Sequence, residues 1–134
     1  MNHWLVKSEP NTFSFDRLVK EGMACWDGVR SYAARNHLRD MKKGDAVLFY
    51  HSGDSKSVVG VASVVKESYQ DPTTDEEAWV AVDLKAVKHL KTPVPLSAIK
   101  TEKKLKNIGL IRIPRLSVMP LTSDEFLLLS QMGQ

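Results

Sequence analysis

The chain reads as one α+β domain built around a small, mostly antiparallel curved sheet or barrel. Three observations lead there. Residues 1–134 contain no Gly/Ser linker, low-complexity tract or internal repeat, and their number suits a single domain. Several segments carry the β-branched or alternating pattern of strands and lie close together in sequence. Short helical patterns fall between them irregularly, which favours α+β packing over a parallel sheet.

Taken in order, residues 3–7 predict a short strand, stopped by Pro10. Residues 14–22 predict a short helix in which Phe15, Leu18 and Val19 share a face and Gly22 caps the end. Trp26 is expected on a turn that runs into a second helix over residues 31–41. Lys43-Gly44-Asp45 is a turn signal before residues 46–51, a short buried-strand pattern, and residues 52–56 form a loop. Residues 58–66 are rich in β-branched side chains and predict a strand. Pro72-Thr73-Thr74 lies in an acidic loop. Residues 79–87 alternate, with Trp79, Ala81 and Asp83 on one face and Val80, Val82 and Leu84 on the other. Pro93 and Pro95 are expected to interrupt the chain. Helical pieces follow at 96–100 and 103–108, then a brief strand at 110–113. Thr122-Ser123-Asp124-Glu125 has the spacing of a capping box, opening a last helix over 126–132.

Composition narrows the function classes. An apolar fraction of 43% and a charged fraction of 26% are those of a soluble globular protein. No apolar run approaches a membrane span. Residues 1–10 have neither a charged n-region nor a long apolar h-region, so no signal peptide is expected. The single cysteine, Cys25, cannot form an internal disulfide, and a cytoplasmic, reducing location is expected. The net charge of +3 is unevenly spread. Residues 68–84 hold five acids and no Lys or Arg, whereas residues 85–115 hold nine Lys or Arg and one acid, Glu102. That asymmetry reads as a basic face for nucleic acid or as a solvated lysine surface.

The residues that carry chemistry favour binding over catalysis. The four histidines (His3, His37, His51, His89) are scattered, and one cysteine excludes zinc-finger spacing, so no metal and no cofactor are expected. There is no P-loop and no GxGxxG. Cys25 reads as a small apolar filler or, with a histidine nearby, as a nucleophile. Trp26-Asp27-Gly28-Val29-Arg30 sets a flat π-face beside a planar cation, with Arg35 and Arg39 following. Such residues hold a base and its phosphate, although a lone tryptophan also packs cores. Lys7-Ser8-Glu9-Pro10 places polar groups at a strand end, where they line a cleft or cap a turn. Tyr50, His51 and Ser52 end a strand the same way. Arg115 is either a site residue or an interior arginine paired with Glu9 or Asp27.

Together, WLVKSEP, WDGVRSYAARNHLR, KKGDAVLFYHS, VVGVASVVKE, WVAVDLKAV and RLSVMPL resemble the EVE domain, the thymocyte nuclear protein 1-like group of the PUA-like superfamily. The resemblance spans essentially the whole chain. It implies a pseudo-β-barrel of about five or six strands with short flanking helices, and a pocket for a modified nucleobase in DNA or RNA. By motif, the pocket would comprise Lys7, Ser8, Glu9, Trp26, Asp27, Gly28, Val29, Arg30, His51, Ser52, Arg115 and Ser117. Arg35, Arg39, Lys103 and Lys104 would meet phosphates. Ser31 stands where the family carries asparagine, a short hydroxyl in place of a two-way amide. The expected function is a non-catalytic reader. The rival readings are an enzyme in which Glu9, Asp27 and His51 converge on a base, and a protein-interaction module.

Overall fold

The computed structural model describes residues 1–134, and the strand patterns assemble in it as one sheet. The strands are β1 (His3–Ser8), β2 (Met23–Trp26), β3 (Ala46–His51), β4 (Ser57–Gln70), β5 (Val80–Pro95) and β6 (Val118–Leu121). Their spatial order is β2-β5-β4-β3-β1-β6. Every neighbouring pair is antiparallel except β1 with β3. Parallel neighbours need a crossover, and the chain from Glu9 to Asp45 supplies it. Around the sheet lie α1 (Phe15–Glu21), α2 (Tyr32–Asp40), α3 (Leu96–Thr101), a 3₁₀ turn (Lys103–Leu105), α4 (Gly109–Arg112) and α5 (Ser123–Met132).

The sheet is curved but does not close. β2 and β6, four residues each, pair on one side only and form its two edges. The curvature comes from the long hairpin of β4 and β5, whose register shifts at four places between Val58 and Tyr69. At each shift one strand runs ahead of its partner, by three residues on β5 between the Val58 and Gly60 pairs and by one at each of the others, and the unpaired residues bend and twist the hairpin. The expected α+β sheet is therefore present, and a closed barrel is not.

The core lies against β1 and β3. Trp4, Leu5 and Val6 pack with Val47, Leu48, Phe49 and Tyr50 in a cluster of 31 buried apolar side chains. Complete burial of such a side chain contributes roughly 1.5–3 kcal/mol relative to exposure. From α1, Phe15 and Leu18 turn inward, but Val19 is 44% exposed. Val19 lies about 100° round the helix from Leu18, off the buried stripe. Phe15 occupies the space a Cβ at position 60 would take, so β4 carries Gly60 there.

Three other local expectations differ. Pro93 does not interrupt β5, because it falls in the stretch between the His89–Gly60 and Val94–Val58 partners, where the ladder is already broken; Pro95 is the last residue of the strand. Residues 110–113 do not form a strand. The amides of Arg112 and Ile113 donate to the carbonyls of Ile108 and Gly109, which closes the helical turn α4. Trp26 ends β2 rather than sitting on a free turn.

Candidate functional site

Two strand ends and one turn build a depression of about 290 Å³, lined by Ser8, Thr12, Phe13, Cys25, Trp26 and Asp27. This is near the low end of the ~300–1,000 Å³ usual for small-ligand sites. Ser8 ends β1, and Cys25 and Trp26 end β2. The turn between β1 and α1 is fixed by the amides of Thr12 and Phe13, which both donate to the Glu9 carbonyl at 2.9 Å. Ser8 ties down the same turn by donating its hydroxyl to the Phe13 carbonyl. Its lone pairs stay available as acceptors.

Trp26 is half-buried and rigidly held. It meets Phe13 at 6.0 Å and Phe49 at 5.4 Å between ring centroids, both at 82°. These are edge-to-face contacts, the arrangement the ring quadrupole favours. Phe49 is braced in turn by Phe15 at 5.2 Å. Beside Trp26, the Cys25 sulfur lies 3.0 Å from the Tyr69 hydroxyl, which donates to Asp83. Burial pushes the Cys25 thiol up, although its contact with Tyr69 opposes this, so sulfur is present there as a thiol. A nucleophile requires the thiolate, so the arrangement gives the nucleophile reading no footing.

The twelve residues expected to share one pocket divide. Successive side chains of a strand point to opposite faces, so Lys7 and Ser8 part company. Lys7 and Ser52 line a separate depression of about 320 Å³, together with Tyr50, Gly53 and Lys56. The Lys7 ammonium donates to the Pro114 carbonyl at 2.6 Å, and partial burial lowers its pKa. Glu9 does not line the Trp26 depression; its carboxylate accepts from Asn11 and fills the space beside Gly53. His51 does not line it either. Its Nε2 accepts the Phe15 amide at 3.0 Å, which holds the first turn of α1 and requires a neutral ring. Burial lowers the His51 pKa, against the opposing influence of Asp16 and Glu9. Of Glu9, Asp27 and His51, only Asp27 reaches the depression, so the acid–base trio does not converge.

Gly28, Val29 and Arg30 form a latch rather than a pocket wall. Asp71 is fully buried and accepts from the Gly28 amide at 2.8 Å, Arg30 at 3.0 Å and both the amide and hydroxyl of Thr73. Burial alone would raise the Asp71 carboxyl, but these donors hold it well below the usual carboxylate range. Gly28 takes φ +77°, a left-handed conformation that presents its amide to Asp71. Val29 is buried, and the Arg30 guanidinium also lies over the Trp79 ring at 5.7 Å. Ser31 caps α2 by accepting the Ala34 amide.

The outlying candidates lie elsewhere. Arg35 donates to the Ala78 carbonyl at 3.1 Å and covers Tyr32, so it is a bracing residue. Arg39 is exposed at the end of α2. Arg115 is exposed and makes no ion pair, which removes the interior-arginine reading, and Ser117 offers its carbonyl to the Lys7 amide. Lys103 and Lys104 lie on the 3₁₀ turn, where Lys104 shares a groove with Asp124 and Glu125. Those carboxylates repel a phosphate, contrary to the role expected of Lys104. No three His, Cys, Asp or Glu side chains come together as metal ligands.

Sequence reasoning missed Phe13 and Thr12, although both directly follow the KSEP segment. It also missed Asp71, which has no local signal because its partners Gly28 and Arg30 lie more than 40 residues away.

An open curved sheet with short helices about it, and a depression at the ends of β1 and β2, define a PUA-like α+β domain. Within that class the chain belongs to the EVE domain family, which matches residues 2–132. It is 38% identical to mouse (Mus musculus) thymocyte nuclear protein 1, over 93% of this chain and 70% of that protein. A protein of Rhodopseudomonas palustris solved by NMR superposes with a TM-score of 0.94 at 44% identity, covering 99% and 93% of the two chains. Human THYN1 protein in complex with 5-methylcytosine-containing DNA superposes with a TM-score of 0.92 at 34% identity, covering 100% of this chain and 98% of that one.

Proposed function

We propose that this protein is a non-catalytic reader of a modified base in DNA, and that the base enters the depression beside Trp26. The position of Trp26 carries the reading: an immobilised indole beside a depression in which Asp27 and Ser8 supply acceptors. A base drawn out of its stack would lie against the indole. The Asp27 carboxylate suits the exocyclic amino group of a cytosine, the pairing acidic side chains make with that base. Phe13 and Cys25 give the remaining wall an apolar character that suits an added methyl group. The human relative in complex with 5-methylcytosine-containing DNA supports the same choice of nucleic acid.

Stacking on one aromatic contributes about 1–3 kcal/mol per base, about 5- to 150-fold in affinity. Trp26→Ala is expected to lose that much for an oligonucleotide containing 5-methylcytosine and to lose its preference over the unmodified oligonucleotide. A fluorescence-anisotropy titration of both oligonucleotides checks this, and equal weakening of the two would remove Trp26 from the reading. Mass spectrometry of the oligonucleotide after incubation is expected to show no mass change; a released or altered base would replace the reader with an enzyme.

A further inference from the structure

The depression that takes Lys7 continues into another. The first is lined by Lys7, Ser52, Lys56 and Leu96, and a neighbouring one of about 310 Å³ by Lys56, Leu96, Ser97 and Lys100. Lys56 and Leu96 belong to both, so the two form one trough along the β3–β4 loop and the start of α3. Three lysines and three serines line it, and no acidic side chain does. The carboxylates within reach of a basic side chain are Glu21 beside Arg17, Asp71 beside Arg30 and Asp16 beside His89, so all three trough ammonium groups lack an acidic partner.

The trough is also built rather than incidental. Lys56 is the one non-glycine residue with a left-handed backbone, at φ +42°, and its carbonyl accepts the Leu96 amide at 2.8 Å. A conformation that L-residues disfavour is thus pinned by the start of α3. Lys7 is positioned by the Pro114 carbonyl and lies 5.9 Å from the Tyr50 ring. Lys7 and Ser8 are adjacent on β1 and face opposite sides, so the trough begins one residue from the Trp26 depression.

We propose that this trough carries the phosphodiester backbone of the strand flanking the bound base. Unpaired ammonium groups with hydroxyl donors between them suit consecutive phosphates, which position a strand without reading its sequence. The assignment rests on the base-pocket reading, and it moves the phosphate contacts from Lys103 and Lys104 to Lys7, Lys56 and Lys100.

The test measures anisotropy binding of single-stranded DNA, with and without 5-methylcytosine, over a series of NaCl concentrations. The double variant Lys56→Asn/Lys100→Ala removes two charges, and asparagine tolerates the left-handed backbone at position 56. Each single-strand phosphate neutralised contributes about 0.7 to the slope of log K against log salt, so the slope should fall by about 1.4. Both oligonucleotides should weaken alike, with their affinity ratio and the thermal midpoint unchanged. An unaltered slope, or the same fall in Lys103→Ala/Lys104→Ala instead, overturns the trough. A wild-type protein that binds both oligonucleotides without preference overturns the base pocket alone, and the slope then still decides the trough. A wild-type protein that binds neither overturns both.

Discussion

Asp71 shows how one side chain can shape a site it does not line. It ties the acidic loop to the segment directly after Trp26, through the Gly28 amide and Arg30. Arg30 is 42% exposed, so solvent screens the ion pair, and the amide and hydroxyl donors carry most of the stabilisation. Asp71→Ala would leave the Gly28 and Thr73 amides without their acceptor and is expected to cost about 3 kcal/mol, measurable by urea denaturation. Because the native carboxyl is depressed, its contribution is complete above the ordinary aspartate value of about 4 and is lost as pH falls through the native one. The difference in stability between wild type and Asp71→Ala should therefore be constant at neutral pH and shrink below about pH 4.

At the scale of elements, local signals were readable and paired ones were not. Thr122 accepts the Glu125 amide at 3.0 Å, and the Glu125 carboxylate accepts the Thr122 amide at 2.9 Å, the reciprocal cap the spacing predicts. Thr122→Ala should cost about 1 kcal/mol in thermal or chemical denaturation. β3 falls on the predicted residues 46–51, because its side chains are buried as one apolar run. By contrast, β2 and β6 have four residues each and exist through their partners on β5 and β1. Residues 110–113 are apolar enough for either periodicity, and backbone bonds to Ile108 and Gly109 select the helix. The site was legible to the same extent: Ser8, Trp26 and Asp27 stand in local motifs at strand ends. Arg30 lies outside the depression because it is drawn to a counter-charge distant in sequence, and Lys7 because the strand's alternation separates it from Ser8.

The whole molecule carries a pH response in its histidines. Burial lowers the pKa of both His51 and His37, opposed by Asp16 and Glu9 at the first and by Asp40 at the second. The unfolded chain therefore binds protons before the native one does. Stability from these groups is complete above the ordinary value of about 6.5 and is lost as pH falls through the lower native values. Thermal midpoints should be level from pH 8 to 7 and decline below about 6.5, and His51→Gln should lessen that decline. A protonated His51 also cannot accept the Phe15 amide, which loosens the turn holding Phe13 against Trp26. The edge position of β2 adds a dynamic consequence. Its amides are held by β5 alone, so the strand can lift in a sub-global fluctuation that leaves the rest of the sheet intact. A base stacked on Trp26 as proposed would bind only the zipped strand and so suppress that fluctuation. Occupancy of the proposed site would then be recorded in the hydrogen-exchange protection of the backbone from Met23 to Trp26.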